Sequence, residues 1–508
     1  MLASGVMHEQ ATGGNRLPLG LTECVNGHQK ATADEFPQGL THIRATSPEG
    51  PAMRLRPLQV IGYSAGDAAN NLAFSITSFF LLVYYTDVAG ISAAAVGTMF
   101  LVVRLWDAFA DIVAGRVVDR TQTRWGKFRP FLLFGSLPLL ALSFLTFHVP
   151  NWSPSGKLTY AYVTYALLGL AYSLVNIPYG SLATAMTQAP KERAKLAAAR
   201  GVGAALVILL LVLVVSPALG GSSGDLQRTL TLVTGSFVVL GFALYLFTFF
   251  TAKETVAREV AHVTFRQTVQ ALRHNRPLFR LCLSTLSYLT GMFAFNTIGA
   301  YYARDVLGDA SLFIPLTLLS TGAIFVVAPL VPRIVAAFGK RTGYLVAASL
   351  SIVGGVGIFL APASTPVLAM VSWTVAGAGL ALVNSLMWAL EADTVEYGEW
   401  QSGVRTEGAT YAIFSFTRKA GQALGGAAGA YALSIGGYVA KAPEQSDAAL
   451  TAIRAAAGLL PAGFALLAAL IMFSYPLTET RFAQIVQEVR TRRAESKIVA
   501  LAATAVDA

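Results

Sequence analysis

Long apolar stretches recur along almost the whole chain and limit the folds that it can adopt. Stretches of about 20 residues, the length that a helix needs to cross the hydrocarbon of a bilayer, occur roughly twelve times. Of the 508 residues, 55% are hydrophobic and only 13% are charged, so the buried helices of a soluble protein do not explain the pattern. The sequence predicts an all-α membrane protein. The expected spans are 58–86, 93–118, 129–149, 160–186, 198–219, 230–250, 278–303, 312–333, 343–361, 366–392, 408–434 and 452–475.

Lysine and arginine are distributed unequally between the loops. The loops after the second, fourth and sixth spans are rich in these residues, whereas the loops 87–92 and 362–365 have none. Because positively charged loops stay on the cytoplasmic side, we expect a multi-pass protein of the cell (inner) membrane with both termini in the cytoplasm. The bias also accounts for much of the net charge of +10. The sequence has no basic face interleaved with aromatic residues, so it does not indicate a nucleic-acid partner.

Composition divides the chain into five segments. The polar residues 1–52 lack the apolar core of a signal peptide and are predicted to be a disordered or misassigned N-terminal extension. The other segments are an N-terminal six-helix bundle over 53–250, a cytoplasmic linker over 251–277, a C-terminal six-helix bundle over 278–475 and a cytoplasmic tail over 476–508.

The two predicted bundles resemble each other in sequence. LVNIPYGSL begins at Leu174 in the fourth span, and LVNSLMWAL begins at Leu382 in the tenth, the equivalent span of the second half. The Gly-Lys pair at 126–127 has a weaker counterpart at 339–340. Twelve spans in two related halves are typical of the major facilitator fold, in which the substrate binds near the membrane midplane between the halves.

Charged residues inside the predicted spans are the strongest indication of function, because a charge at membrane depth needs a partner or a polar cavity. Asp107 and Asp111 are four residues apart, so on a helix they share one face, one turn apart. This arrangement predicts a cation site. A structural ion pair with Arg104 is the alternative.

Other polar residues lie in the first, fifth and eleventh spans. For Asp67, ligand binding and hydrogen bonding between helices remain alternatives. Arg200 lies far from the nearest basic loop, with snorkelling toward the cytoplasm as the alternative to a cavity position. Arg418 and Lys419 are adjacent, so their side chains point about 100° apart and we expect at most one to face a cavity. Cations in a cavity would suit an anionic or hydroxyl-rich substrate.

Acidic residues gather at the cytoplasmic end of the tenth span. We predict that Asp393 and Glu396, together with Arg405, form a cytoplasmic gate that closes through ion pairs. Ordinary interfacial charge is an equal alternative for Glu399.

Cysteine and histidine are too sparse to indicate other chemistry. Cys24 lies in the extension and Cys282 in the seventh span, so we expect no disulfide, metal site or cofactor. A membrane-embedded enzyme is disfavoured because the spans contain no His or Cys nucleophile constellation. A membrane sensor that does not transport is a distant alternative.

Several motifs between about Met53 and Glu488 resemble those of the glycoside-pentoside-hexuronide cation symporter family. They are GYSAGDAANN, YYTDVAG, WDAFAD, QTRWGKFRP, NIPYGSL, and EADTVEYGEW followed by GVRTEG. The segments NIPYGSLATAMTQ and YAIFSFTRKAGQALGG are most similar to the glucuronide permease branch. The resemblance implies a secondary active symporter that imports a β-glucuronide with a proton by alternating access. A pentoside or another sugar, and Na⁺ as the coupling ion, are the alternatives.

The resemblance also assigns site residues. The cation site falls on Asp107, Asp111 and Ser173. Ala110 stands where sodium-using, melibiose-type members have an asparagine ligand, which favours protons because a carboxylate can simply be protonated. The sugar site falls on Asn71, Asn176, Arg200, Ser415 and Lys419.

Two differences from the melibiose-type members concern the sugar. Asn71 and Asn176 replace aspartates, so the cavity is less negative and favours a sugar that carries a carboxylate. Gly180 and Asn384 replace tryptophans that face the sugar. The candidate replacements for this aromatic platform are Tyr179, Trp388 and Tyr411, with anchoring at the membrane interface as the commoner role of such residues.

Overall fold

The computed structural model describes residues 54–187, 190–221, 223–255, 273–440 and 442–506. The extension predicted over 1–52 and most of the linker predicted over 251–277 lie outside the described residues. The helices are α1 (Pro57–Val83), α2 (Ala93–Arg120), α3 (Arg129–Phe134 and Ser136–Thr146), α4 (Pro154–Met186), α5 (Pro190–Leu219), α6 (Ser223–Thr251), α7 (Arg276–Tyr301), α8 (Phe313–Val327), α9 (Val331–Leu360), α10 (Pro366–Ser402), α11 (Glu407–Ile435), α12 (Asp447–Ala457 and Leu459–Phe473) and α13 (Glu479–Val506).

Every predicted membrane span falls on one of the helices α1 to α12. Within the described residues, 11 helical spans are long and apolar enough to cross a membrane. The remaining predicted span coincides with α11, whose middle carries Arg418 and Lys419. The expectation of an all-α membrane protein is therefore confirmed.

Local sequence sets where several helices begin. The side-chain oxygens of Ser92, Ser153, Asn275 and Ser446 accept hydrogen bonds from backbone N–H groups three residues further on, at 3.4, 3.3, 3.1 and 3.2 Å. Such caps satisfy N–H groups that have no partner within the helix. Proline occupies the first turn of α1, α4, α7 and α10, where its missing N–H has no cost.

The first helix of each half ends in the same way. α1 continues as a π-helical turn over Tyr84–Val88, and α7 as one over Tyr302–Val306. Each turn is followed by a glycine with positive φ, Gly90 at 73° and Gly308 at 75°, a conformation that favours glycine because it has no Cβ. The sequences YYTDVAG and YYARDVLG are thus equivalent helix ends, an internal repeat in addition to those that the sequence pattern indicated.

The basic turn after α2 and the one at Gly339, where α9 is kinked, are equivalent as well. The carboxylate of Glu254, which follows α6, accepts a hydrogen bond from the backbone N–H of Lys127 at 2.9 Å. The carboxylate of Glu479, which follows α12, accepts one from the backbone N–H of Lys340 at 2.8 Å. The glycine before each lysine has positive φ, 105° and 78°. The predicted correspondence between these two turns therefore extends to their backbone and their carboxylate caps.

The two halves meet through three pairs of helices and through a polar cluster at one end of the bundle. We call the side with loops 121–128 and 403–406 the terminal side, and the side with loops 89–92 and 436–446 the opposite side. α1 packs against α7, α2 against α11 and α5 against α8. On the opposite side, Asp87 forms an ion pair with Arg304 at 2.6 Å and accepts a hydrogen bond from the Tyr438 hydroxyl at 3.0 Å. We call these three residues the opposite-side latch.

Candidate functional site

A cavity of about 290 Å³, the central cavity, lies between the two halves. Its volume is near the lower end of the range of about 300 to 1,000 Å³ that is usual for small-molecule sites. Its lining comes from α1, α2, α4, α5, α10 and α11, so residues far apart in the chain meet here. The predicted site residues that line it are Asn71, Asp107, Ser173, Asn176, Arg200, Trp388, Ser415 and Lys419.

Asp111 links the two halves at the edge of this cavity. Its Oδ1 accepts a hydrogen bond from Ser173 Oγ at 2.6 Å. Its Oδ2 forms an ion pair with Nζ of Lys419, which comes from α11 in the other half. A residue of the predicted cation site and a residue of the predicted sugar site are therefore in direct contact.

Asp107 has a different cationic partner. Its Oδ2 accepts a hydrogen bond from Arg104 Nη1 at 3.1 Å. Its Oδ1 is buried and has no hydrogen-bond partner among the described residues. α4 passes so close that a Cβ at Gly169 would lie 1.9 Å from this oxygen. The two aspartates thus belong to separate ion pairs in this structure. Asp107 forms the ion pair with Arg104 that the sequence analysis gave as the alternative to a cation site.

Arg200 is held by residues of the first half. Its Nε donates a hydrogen bond to Asp67 Oδ1 at 2.9 Å, and Asn71 Nδ2 donates one to Asp67 Oδ2 at 3.1 Å. The guanidinium lies 5.1 Å from the ring centre of Tyr179, which stacks on Tyr63 at 4.7 Å. Tyr179 is fully buried, and its ring packs in the core and supports Arg200. It does not line the central cavity, and its predicted role as a platform for the sugar stays a prediction.

Arg418 lines the central cavity together with its neighbour Lys419. The expectation that at most one of the two would face a cavity is wrong, because long basic side chains can bend toward the same space from different starting directions. The Arg418 guanidinium lies 4.6 Å from the ring centre of Trp388, and its Nη1 donates a hydrogen bond to Asn384 Oδ1 at 3.3 Å. Trp388 is 39% exposed and stacks with Tyr411 at 6.1 Å, so part of this aromatic surface is open.

The predicted gate residues line a second cavity of about 550 Å³ on the terminal side. Asp393, Glu396 and Arg405 contribute to it together with side chains of α13. Tyr411 lines both this cavity and the central cavity. The two spaces therefore meet at Tyr411.

The gate residues form ion pairs within the second half. Lys340 Nζ lies 2.7 Å from Asp393 Oδ2. Arg405 Nη1 lies 2.8 Å from carboxylate oxygens of both Glu396 and Glu399. Lys340 was not among the predicted gate residues. Its position in a turn equivalent to 126–127 was the signal that could have identified it.

Several further polar residues line the central cavity. Asp67 and Arg418 were noted in the sequence as charges within predicted spans, but the sequence did not assign them to a site. Within the described part of the chain, no group of three or more His, Cys, Asp or Glu side chains is placed to hold a metal ion. The additional lining residues that bear polar groups are Asp67, Asn70, Thr77, Arg104, Tyr165, Tyr172, Tyr411, Arg418 and Gln422.

Comparison with known proteins shows the family. Residues 62–479 match the family described as MFS/sugar transport protein. The chain is 48% identical over 437 residues to the glucuronide carrier protein homolog of Escherichia coli (strain K12), which covers 85% of this chain and 95% of that protein. It is 35% identical over 418 residues to the isoprimeverose transporter of Lactiplantibacillus pentosus, covering 81% of this chain and 87% of that protein.

The fold is shared with solved transporter structures. The crystal structure of the peptide transporter POT in complex with sulfate matches 85% of this chain and 98% of its own, with a TM-score of 0.60 and 15% sequence identity. The predicted major facilitator fold is thereby confirmed. The family and the relatives also confirm that the protein is a sugar-type membrane transporter and not an enzyme. The chain belongs to the MFS/sugar transport protein family.

Proposed function

We propose that this protein imports a glycoside, preferably a β-glucuronide, together with a proton by alternating access. The observation that carries the proposal is the ion pair between Asp111 and Lys419. It joins the residue expected to bind the coupling ion to a cation expected to bind the sugar, and it does so across the interface between the halves. A change in the charge of one of these groups therefore directly alters the electrostatic interaction of the other.

The chemistry of this pair supports proton coupling. Protonation of Asp111 removes its negative charge, so the attraction that holds Lys419 is lost. The ammonium group is then free to contact an anionic sugar in the central cavity. A sugar bound there in turn favours the protonated state of Asp111, because coupling between two sites is reciprocal.

A sodium ion fits this arrangement less well than a proton. A hard cation needs several oxygen ligands, whereas the two Asp111 oxygens contact the Ser173 hydroxyl and the Lys419 ammonium group. Ala110, at the position of the asparagine ligand in sodium-using relatives, is fully buried and offers no side-chain oxygen. These features support a proton as the coupling ion.

The contacts between the halves support one direction of opening. The opposite-side latch joins the halves across α1, α7 and the turn after α11. On the terminal side, the described ion pairs of Lys340, Arg405 and Arg493 join elements of the same half. We therefore propose that the terminal side faces the cytoplasm, in agreement with its basic loops, and that the central cavity opens toward it. The protein would then lie in the cell membrane with both termini inside.

A neutral pentoside is the second candidate substrate. The isoprimeverose transporter is 35% identical to this chain, so the same framework has relatives named for another sugar. The balance of charge in the central cavity favours the glucuronide, because its basic side chains outnumber its acidic ones.

Uptake into right-side-out membrane vesicles tests the proposal. Radiolabelled phenyl β-D-glucuronide should accumulate when the outside is made acidic, and an uncoupler should abolish the accumulation. A sodium gradient at equal pH on both sides should not replace the proton gradient. Accumulation that is unaffected by the uncoupler would contradict proton coupling, and preferential uptake of a neutral pentoside would contradict the proposed substrate.

Asp111→Asn separates coupling from binding in the same vesicles. The amide cannot carry the negative charge, so the variant should still exchange internal for external glucuronide but lose uphill accumulation by at least about tenfold. Asp111→Glu, which keeps a titratable carboxyl, should recover part of the accumulation. Normal accumulation by Asp111→Asn would show that another residue takes up the proton.

A further inference from the structure

The basic side chains of the central cavity are not equivalent. Four of them line it. Three form ion pairs: Arg104 with Asp107, Arg200 with Asp67 and Lys419 with Asp111. Among the residues that the structure describes, the fourth, Arg418, has no carboxylate within ion-pair distance. The cavity therefore has one positive charge in excess, and that charge is at Arg418.

The contacts of Arg418 leave most of its hydrogen-bonding capacity unused. A guanidinium has five N–H donors. One of them reaches the Asn384 amide oxygen at 3.3 Å, and the face of Trp388 lies 4.6 Å from the guanidinium carbon. No other hydrogen bond from Arg418 to a described residue is present. The aromatic ring fixes the position of the cation through a cation–π contact without neutralising its charge.

We propose that Arg418 is the residue that selects an anionic sugar, by binding the glucuronide carboxylate through two parallel N–H groups. This inference rests on the proposed function and assigns different roles to two neighbouring cations. Lys419 responds to the proton on Asp111, whereas Arg418 recognises the sugar carboxylate. Trp388 and Asn384 position the guanidinium. Arginine suits this role better than lysine because its planar fork matches a carboxylate.

The other cations are less suitable anchors for the carboxylate. A sugar that took Arg200 from Asp67, or Lys419 from an ionised Asp111, would leave a carboxylate of the protein without its partner at membrane depth. Such an unpaired charge is strongly unfavourable. Binding at Arg418 breaks no ion pair within the protein. It also supplies the anion that this guanidinium lacks.

Binding to purified protein in lipid nanodiscs tests the assignment. The probes are 4-nitrophenyl β-D-glucuronide and 4-nitrophenyl β-D-glucoside, which differ only in having a carboxylate or a hydroxymethyl group. Arg418→Gln should weaken binding of the glucuronide about 10- to 100-fold, the range expected for losing hydrogen bonds to a charged group. Binding of the glucoside should change by less than about threefold.

Arg228→Gln is the matched control, since Arg228 is exposed on α6. This variant should bind both sugars as tightly as the wild type does.

Arg418→Lys provides a milder test if the glutamine variant unfolds. It keeps the positive charge but loses the planar fork, so glucuronide binding should fall about 3- to 10-fold with glucoside binding unchanged. Unchanged discrimination in both variants would overturn the inference and leave the proposed function intact. Equal weakening of both sugars would also overturn it, because Arg418 would then shape the cavity without reading the carboxylate. A wild-type protein that binds the two sugars equally would contradict the proposed substrate itself.

Discussion

The carboxylate of Asp107 is packed so closely that a single methyl group would displace it. A Cβ at Gly169 would lie 1.9 Å from Asp107 Oδ1. Overpacking of this kind costs about 1 to 3 kcal/mol, so Gly169→Ala should move the carboxylate away from Arg104. We expect proton-driven accumulation of glucuronide in vesicles to fall roughly tenfold.

Gly115→Ala is the control for this substitution. Gly115 lies on α2, the helix that carries Asp107, and a Cβ there would meet nothing within 4 Å. Uptake by this variant should equal that of the wild type, with a slight gain in helix stability at most. If Gly169→Ala transported as well as Gly115→Ala, the position of the Asp107 carboxylate would be irrelevant to transport.

Sequence reasoning identified most of the charged residues in the central cavity, but the only one of their pairings that it offered was that of Asp107 with Arg104. Charges in apolar spans are visible because they are rare and costly there. The pairing of Arg200 with Asp67 joins residues 133 positions apart, and nothing in their spacing predicts it. The orientation of the Tyr179 ring could not be predicted for a related reason. An aromatic residue next to a binding motif has the same pattern whether its ring faces the cavity or packs behind an arginine.

The membrane helices were predictable as elements because their length and hydropathy are set by the bilayer. The residues at which these helices begin and end were less predictable. α10 continues to Ser402, past the predicted end at 392, since charged residues can extend a helix beyond the apolar region. The π-helical turns over Tyr84–Val88 and Tyr302–Val306 leave no hydropathy signal either. They became recognisable as a repeat only when the two helix ends were compared in the structure.

α13 shows why part of the fold could not be predicted from composition. The segment is polar and was expected only to be a tail, yet it is helical over Glu479–Val506. It is joined to α10 by polar contacts. Trp400 Nε1 donates a hydrogen bond to Glu488 Oε2 at 2.6 Å, and Arg493 forms an ion pair with Glu399. Such contacts between elements have no counterpart in local sequence periodicity.

Glu399→Gln should loosen the attachment of α13 to α10. Glu399 pairs with both Arg405 and Arg493, and partly exposed ion pairs are worth about 0.2 to 1 kcal/mol each. Amide hydrogen exchange in the turns of α13 on either side of Arg493 should therefore become about two- to tenfold faster. Glu495→Gln, at an exposed position of the same helix, should leave exchange unchanged. Equal exchange rates in the two variants would mean that these ion pairs do not hold α13 in place.

At the scale of the whole molecule, the repeat between the halves accounts for how they are joined. α1 and α7 end in equivalent π-helical turns, and these turns supply Asp87 and Arg304 to the opposite-side latch. Thr86 and Tyr301, from the same two helix ends, share a hydrogen bond of 2.8 Å. In the proposed alternating-access cycle, in which the opposite side faces outward, these contacts must break for the outward-open state to form.

Asp87→Asn should shift the protein toward that outward-open state. The amide loses the charge that pairs with Arg304, and a hydrogen bond to a charged group contributes about 1.5 to 3 kcal/mol, so the open population should rise at least about tenfold.

The distance between spin labels at Asn151→Cys and Glu444→Cys, one in each half on the opposite side, reports this population. Cys24 and Cys282 are replaced in the same background. Asp447→Asn, an exposed aspartate on that side, should leave the distance distribution unchanged. If Asp87→Asn gave the same distribution as this control, the latch would not govern opening, and closure would depend on the apolar packing of α1 against α7 and of α2 against α11.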